Sequence, residues 1–342
     1  MNILKLSINT LKNIAFTAVT FIAFLVLLEM LFRGVEFFFK APEIESAAII
    51  YDSKLGWVHN TQMKQEVRNN KCGERVVRHP ATHRLINKFP KYPGNKKILF
   101  LGDSFTHAHE VSTGRAYYDV FEENVKDEYS VYAAGVSGFG NVQEYIALVS
   151  VFPEIKPDIV VWQLCGNDII NNVYELEKAS LYDNNQRLRP YFNLETNQIE
   201  IKDPSFWLFT WSHGFKFVFH RLLILDWKYK LGLSDLWATT ITLEPKVHDK
   251  YTKQGLEIFD RLLSDAITKF PNTKFYGFAV SSLSDDREYE RIFMKYGMIY
   301  FSRFSQYVDS IANTNCAPLD LHWNHLGNQI AGDMLSKLLE NN

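Results

Sequence analysis

From Lys96 onward, short apolar runs (KKILFLG, YSVYAAG, PDIVVWQLC and TKFYGFAV) are separated by helix-patterned segments such as AYYDVFEENV and NVQEYIALVSVF. Continuous apolar runs of this length suit strands buried on both faces, and a helix between successive strands lets them pair in parallel. The pattern predicts an α/β chain, a three-layer α/β/α sandwich with a mostly parallel sheet. In such sheets sites lie beyond the carboxyl ends of the strands, where the strand-to-helix turns gather.

A second constraint stands at the start of the chain. From Ile14 to Phe32 it reads IAFTAVTFIAFLVLLEMLF, with Glu29 as its only charge. At about 1.5 Å per residue this nearly matches a hydrocarbon core of roughly 30 Å, so the run reads as one N-terminal transmembrane helix. Phe37, Phe38, Phe39 and Lys40 read as an interfacial collar, and Glu29 and Arg33, one helical turn apart, can neutralise one another. Lys5 and Lys12 are balanced by Arg33 and Lys40, and the short amino-terminal tail favours an N-in anchor with the rest of the chain extracytoplasmic, periplasmic or at the cell surface. A cleaved signal peptide is the rival reading, but the run is long for an h-region and no small-x-small site follows it before Arg33.

The expected organisation is an anchor over residues 1–40, a polar extension or stalk over 41–94, and an α/β domain over 95–342. The α/β pattern is interrupted at about 171–248 by a polar loop and an aromatic-rich stretch, FWLFTWSHGFKFVFHRLLILDWKYKLGL. That stretch carries too many charges for a comfortable second span; it is expected to pack on the main core, with an interfacial helix or lid as the other reading. Helices are expected from about Asp249 to Phe270 and from Asn324 to Leu339.

Composition narrows the function classes. The 342 residues, 46% apolar and 22% charged, describe a globular chain, and a formal charge of −2 with scattered Lys and Arg offers no basic stripe for nucleic acid. Cys72, Cys165 and Cys316 stand too far apart for a CxxC motif, and an odd number leaves at least one thiol unpaired; their pairing stays open. No Walker loop or dinucleotide fingerprint occurs, so no cofactor is expected.

Residues suited to acyl chemistry stand at the strand ends. The first strand runs into Gly102-Asp103-Ser104, the second into Ala134-Gly135-Val136-Ser137-Gly138-Phe139-Gly140, and the third into Gly166-Asn167-Asp168. A glycine turn can bring backbone N–H groups close to a ligand, and an Asn amide can donate to a developing oxyanion. Near the carboxyl terminus stands Asp320-Leu321-His322-Trp323-Asn324, followed by Gly327. A carboxylate two residues before an imidazole can hold its tautomer and stabilise the imidazolium. Asp103 and Asp168 read as acceptors of backbone N–H groups, Cys165 as a buried free thiol, and His325 as a surface or capping residue in the last helix. His107, His109 and Glu110 lack a recognisable ligand spacing, so no metal is expected. The α/β-hydrolase elbow is excluded because Gly102-Asp103-Ser104-Phe105-Thr106 lacks its second glycine.

Gly-Asp-Ser, a glycine turn, Gly-x-Asn-Asp and an Asp-His pair before a final helix, in this order, resemble the four blocks of the SGNH (GDSL-like) hydrolase superfamily. The resemblance runs from about Lys96 to the carboxyl terminus, apart from the insertion. It implies a flavodoxin-like α/β/α fold with Ser104 as nucleophile, His322 as base then acid, and Asp320 orienting His322. The implied oxyanion hole is the Ser104 N–H, the Gly138 N–H and the Asn167 side chain; Gly138 is preferred over Gly135 because it ends the Val136-Ser137-Gly138 turn. Asp320 and His322 are separated by one residue rather than the family's usual two, and Trp323 follows. That variant is similar to SGNH-like proteins of alginate and related polysaccharide O-acetylation.

The expected activity is a serine esterase removing an O-acyl group, acetyl above all, from a cell-envelope glycan or lipid through an acyl-serine intermediate. The alternatives are an O-acyltransferase working with the envelope polysaccharide machinery, and a non-catalytic glycan-binding or assembly component.

Overall fold

A computed structural model of the chain describes residues 8–38, 48–126, 128–180, 184–205, 245–280, 286–317 and 320–340, with isolated positions between 211 and 243. The chain divides into two compact units, Met1–Glu43 with Ser205–Ile241, and Ile44–Pro204 with Thr242–Asn342.

In the first unit, helix α1 (Ile8–Phe38) contains a 20-residue stretch, Ala15–Gly34, with mean hydropathy 2.3 and none of it buried against protein. By length and composition it can cross a membrane, a test that a signal sequence also passes. The Glu29 carboxylate accepts from Arg33 Nε at 2.8 Å, from Ser212 Oγ at 2.7 Å and from the Gly214 N–H at 3.0 Å. Arg33 Nη2 in turn donates to the Trp211 carbonyl at 2.8 Å. Charges on an otherwise apolar helix are costly unless partnered, and these two are partnered by one another and by the 205–241 segment. Most of the aromatic stretch lies outside the described residues. Where it is described, Ser212 and Gly214 meet α1.

The second unit opens with two antiparallel hairpins, β1 (Ile49–Asp52) with β2 (Gly56–His59) and β3 (Glu66–Asn69) with β4 (Arg75–Arg78). The central elements follow: β5 (Lys96–Gly102), α2 (Ser104–His107), α3 (Tyr117–Asn124), β6 (Tyr129–Gly135), α4 (Asn141–Ile155), β7 (Ile159–Leu164), α5 (Asp168–Asn172) and α6 (Tyr174–Ala179). A third hairpin joins β8 (Arg189–Asn193) to β9 (Gln198–Lys202). Then come α7 (Pro245–Lys269), β10 (Lys274–Ala279), α8 (Asp286–Lys295), β11 (Ile299–Phe301), α9 (Phe304–Asp309), the short pair β12 (Asn315–Cys316) and β13 (Asp320–Trp323), and α10 (His325–Glu340).

Five strands form one wholly parallel sheet in the order β11-β10-β7-β5-β6. Successive side chains of a strand point to opposite faces, and β5 shows why its run is unbroken: Leu99 and Leu101 enter one core, Ile98 and Phe100 the other, all at 0% exposure. Val160, Trp162 and Leu164 of β7 join the first core, under Ile258, Phe259, Leu262 and Leu263 of α7. Val161 joins the second, under Ala331, Leu335 and Leu339 of α10. Each such side chain contributes about 1.5–3 kcal/mol on burial, so the two cores together fix the three layers.

Two expectations of organisation change here. Segment 41–94 is not an irregular stalk where it is described: it carries two hairpins, and Trp57, Val58, Leu85 and Ile86 are buried in the first core. The interruption at 171–248 divides, with residues up to Pro204 belonging to the α/β unit and Ser205–Ile241 to the unit of α1.

Candidate active site

Strands β6, β5 and β7 are neighbours and parallel, so the three turns that follow them emerge side by side at one edge of the sheet. Those turns carry the glycine loop, Ser104 and Asn167. At Gly102 a Cβ would lie 2.2 Å from Gln163 Oε1 and 2.5 Å from Thr106 Oγ1, so the need for glycine comes from crowding by β7 and the turn itself. Asp103 caps the one-turn helix α2: its Oδ1 accepts from the Phe105 N–H at 3.1 Å, while its own N–H donates to Gln163 Oε1 at 3.2 Å. Ser104 is thereby the first residue of that turn.

Across the site, β13 pairs with β12 in the register Asn315↔Trp323 and Cys316↔Asp320. Cys316 is bonded to Cys72, between β3 and β4, while Cys165 forms no disulfide and is half-buried rather than buried. His322 Nε2 lies 2.7 Å from Ser104 Oγ, and His322 Nδ1 lies 2.7 Å from Asp320 Oδ1, which also accepts the His322 N–H at 2.9 Å. An ionised Asp320 places the ring proton on Nδ1 and leaves the Nε2 lone pair facing the hydroxyl. Ser104 Oγ also lies 3.3 Å from Asp103 Oδ2, a competing acceptor for the same proton. The imidazole packs on Phe105, ring centroids 4.8 Å apart, and Phe105 packs edge-on against Trp323.

Burial favours neutral His322, but the Asp320 carboxylate, by hydrogen bond and by charge, with Asp103 and Glu110 behind it, more than offsets this and raises the pKa. Burial likewise pulls Asp320 upward, and its hydrogen bonds from His322 and the charge of His322 bring it below the ordinary carboxylate value. Each partner thus favours the charged form of the other.

The glycine loop is a tight turn in which the Phe139 N–H donates to the Val136 carbonyl at 3.1 Å. Gly138, third of the four residues, has φ +79°, and Ser137 is not among the positive-φ residues, the combination of a type II turn. The N–H groups of Ser104 and Gly138 have no acceptor among the described residues. Asn167 directly precedes α5, and its Nδ2 donates to Asn171 Oδ1 at 2.8 Å, which orients the amide and spends one of its two N–H bonds.

Under the site lies an acidic cluster. Asp168 accepts from the Cys165 N–H at 2.8 Å and, with Glu144, from Asn141 Nδ2, at 3.1 and 2.9 Å. Trp162 Nε1 donates to Glu144 at 2.7 Å. Asp103, Glu144 and Asp168 are all fully buried; burial first, then mutual repulsion for Glu144 and Asp168, raises their pKa values, that of Glu144 to about 8. Glu144 carries no sequence signal, since a Glu on an amphipathic helix ordinarily faces water.

The histidines after Ser104 turn elsewhere. His107 Nδ1 meets Ser137 Oγ at 2.7 Å, and its burial pushes the imidazole well below the usual range. His109 Nδ1 lies 2.8 Å from Arg68 Nη2. His325, first residue of α10, meets Glu74 at 3.1 Å and accepts the Ser112 N–H at 3.3 Å, a bridging position rather than a surface one.

Together these features define an α/β/α chain of wholly parallel sheet that carries a hydrogen-bonded Ser–His–Asp set at the carboxyl edge of its strands. Neither a family model nor a curated protein sequence matches the chain. Among solved structures it is similar to TesA, at 12% identity and TM-score 0.43, covering 72% of this chain and 99% of that one. It is similar also to the psychrotrophic esterase EstA from Pseudoalteromonas sp., at 11% identity and TM-score 0.42, covering 72% and 100%. The lipase/acylhydrolase from Enterococcus faecalis matches at 13% identity and TM-score 0.40, covering 72% and 96%.

Proposed function

We propose that the protein is a serine ester hydrolase of the SGNH kind, with Ser104 as nucleophile, His322 as general base then acid, and Asp320 orienting His322. The observation that carries the reading is the continuous line of contacts from Ser104 Oγ through His322 to Asp320, 2.7 Å at each step. Ser104 Oγ bonds to the acyl carbon as its proton passes to His322 Nε2, and the carbonyl electron pair moves to oxygen. The oxyanion is received by the N–H groups of Ser104 and Gly138 and by Asn167 Nδ2. Collapse expels the alcohol, which takes the proton from His322, and water repeats the sequence on the acyl-serine.

The substrate class is an O-acyl group, acetyl above all, on a cell-envelope glycan or lipid. An apolar N-terminal helix supports presentation at a membrane surface, and the Cys72–Cys316 disulfide supports an oxidising, extracytoplasmic compartment. The Asp320-Leu321-His322-Trp323 spacing favours one second reading, in which a sugar hydroxyl replaces water and the acyl group is transferred.

The test is to treat the purified full-length chain with a fluorophosphonate probe and short p-nitrophenyl esters, beside Ser104→Ala and His322→Ala. Labelling and turnover lost in both variants support the acyl-enzyme; product that forms only with added polysaccharide selects transfer over hydrolysis. A folded wild-type chain that neither labels nor turns over refutes the enzymatic reading in favour of a glycan-binding component.

A further inference from the structure

We infer that Trp57 is a positioning residue for the oxyanion hole: its indole N–H, by holding the Ser137 carbonyl, fixes the direction in which the Gly138 N–H points. The inference rests on the proposed acyl-serine chemistry and adds to it a residue from β2, outside the four sequence blocks.

Trp57 Nε1 donates to the Ser137 carbonyl at 2.9 Å. Ser137 C=O and Gly138 N–H belong to one peptide unit, which is planar and trans, so the two bonds point in opposite directions. Fixing the carbonyl on Trp57 therefore fixes the N–H on the other side. The constraint matters because this is the central peptide of a tight turn, and types I and II differ by a flip of that unit. Glycine as third residue tolerates either sign of φ, so Gly138 alone does not choose between them.

The Ser137 hydroxyl and the Gly138 carbonyl are also held. Ser137 Oγ meets His107 Nδ1 at 2.7 Å, and the Gly138 carbonyl accepts from Arg189 Nη2 at 2.8 Å. Arg189 is paired with Glu177 at 3.0 Å, both at 0% exposure, and its guanidinium lies 5.0 Å from the Trp57 ring centre. Trp57 itself is 2% exposed and packs edge-on against Phe139. The Gly138 N–H has no acceptor among the described residues. A turn held at the Ser137 carbonyl, the Ser137 hydroxyl and the Gly138 carbonyl, with the Gly138 N–H left open at the strand-end edge that also carries Ser104, is a pre-organised donor of the kind acyl transfer needs.

The test compares the wild-type full-length chain with Trp57→Phe and with Trp57→3-benzothienylalanine, which keeps the indole shape and replaces N–H by sulfur, so that the fold is preserved if the smaller ring destabilises it. Each is assayed for p-nitrophenyl acetate turnover and for inhibition by a trifluoromethyl ketone, whose Ser104 adduct carries the oxyanion. Both substitutions are expected to lower kcat by about 10- to 100-fold, less than outright loss of a donor, which costs roughly 10²–10³. Ketone affinity should fall by the same factor, with KM within about twofold. An active wild type whose Trp57 variants keep kcat and ketone affinity within about twofold, or lose kcat without losing ketone affinity, overturns the inference alone. A wild type that is neither labelled by fluorophosphonate nor active overturns the site reading, and this inference with it.

Discussion

His322 is pulled two ways, toward the neutral ring by burial and toward the imidazolium by Asp320, Asp103 and Glu110, and the acids prevail. A base must be neutral, so kcat/KM should rise with pH along a limb whose midpoint lies above the ordinary 6.5 of histidine. Stability should run the other way. A raised folded pKa means that the native state holds its proton more tightly, so this contribution is complete below about 6.5 and is lost as pH rises through the folded value. Asp320→Asn should lower kcat by about 10⁴ and move the midpoint of the limb downward, since it removes the group that selects the Nδ1–H tautomer and stabilises the cation. A pH–rate profile of both proteins checks this. Asn167→Ala should cost about 2.7–4 kcal/mol of transition-state stabilisation, read in kcat with KM little changed. An unaltered kcat would remove Asn167 from the oxyanion hole.

Between elements, Asp320 and His322 arrive on β13, a four-residue strand outside the central sheet. Among the described residues its only strand partner is β12, two residues long, and β12 is tied through Cys316 to Cys72, beyond β3. So short a pair cannot hold itself, and the disulfide and the packing of Trp323 on Phe105 do what a ladder of hydrogen bonds would otherwise do. The disulfide joins residues 244 apart, and cross-links that close long loops constrain the unfolded chain most. Cys72→Ala with Cys316→Ala, or reduction of the wild type, should destabilise the fold by about 2–5 kcal/mol in denaturant unfolding. Equal unfolding midpoints with and without reductant would show that the link carries no stability.

For the whole molecule, pH dependence of folding reaches into the core through Glu144. Burial, then the charge of Asp103, raises it to about 8, against about 4.3 in an unfolded chain. Between those values the native state holds a proton that the unfolded state has released, so stability falls as pH rises from about 4.3 to 8. Glu144→Gln keeps an acceptor for Trp162 and Asn141 and cannot ionise. Its melting temperature at pH 8 should exceed that of the wild type by about 2–4 °C per kcal/mol regained, with the difference shrinking toward pH 5. A constant difference across that range would show that Glu144 does not titrate there. Sequence alone determined what short windows encode: unbroken apolar runs that become buried parallel strands, the helices between them, an apolar helix at the start, and the order of Ser104, Gly138, Asn167, Asp320 and His322, the first three in turns that follow strands. Periodicity and turn chemistry are local, so they survive in a linear reading. Tertiary structure alone decided that Trp57 meets Ser137, that Cys72 rather than Cys165 bonds Cys316, that Glu144 faces Asp168 across Asn141, and that His107 serves the glycine turn. These pairs join distant parts of the chain, and because the entropy of closing a loop grows only slowly with its length, no local pattern announces which partner a side chain will find.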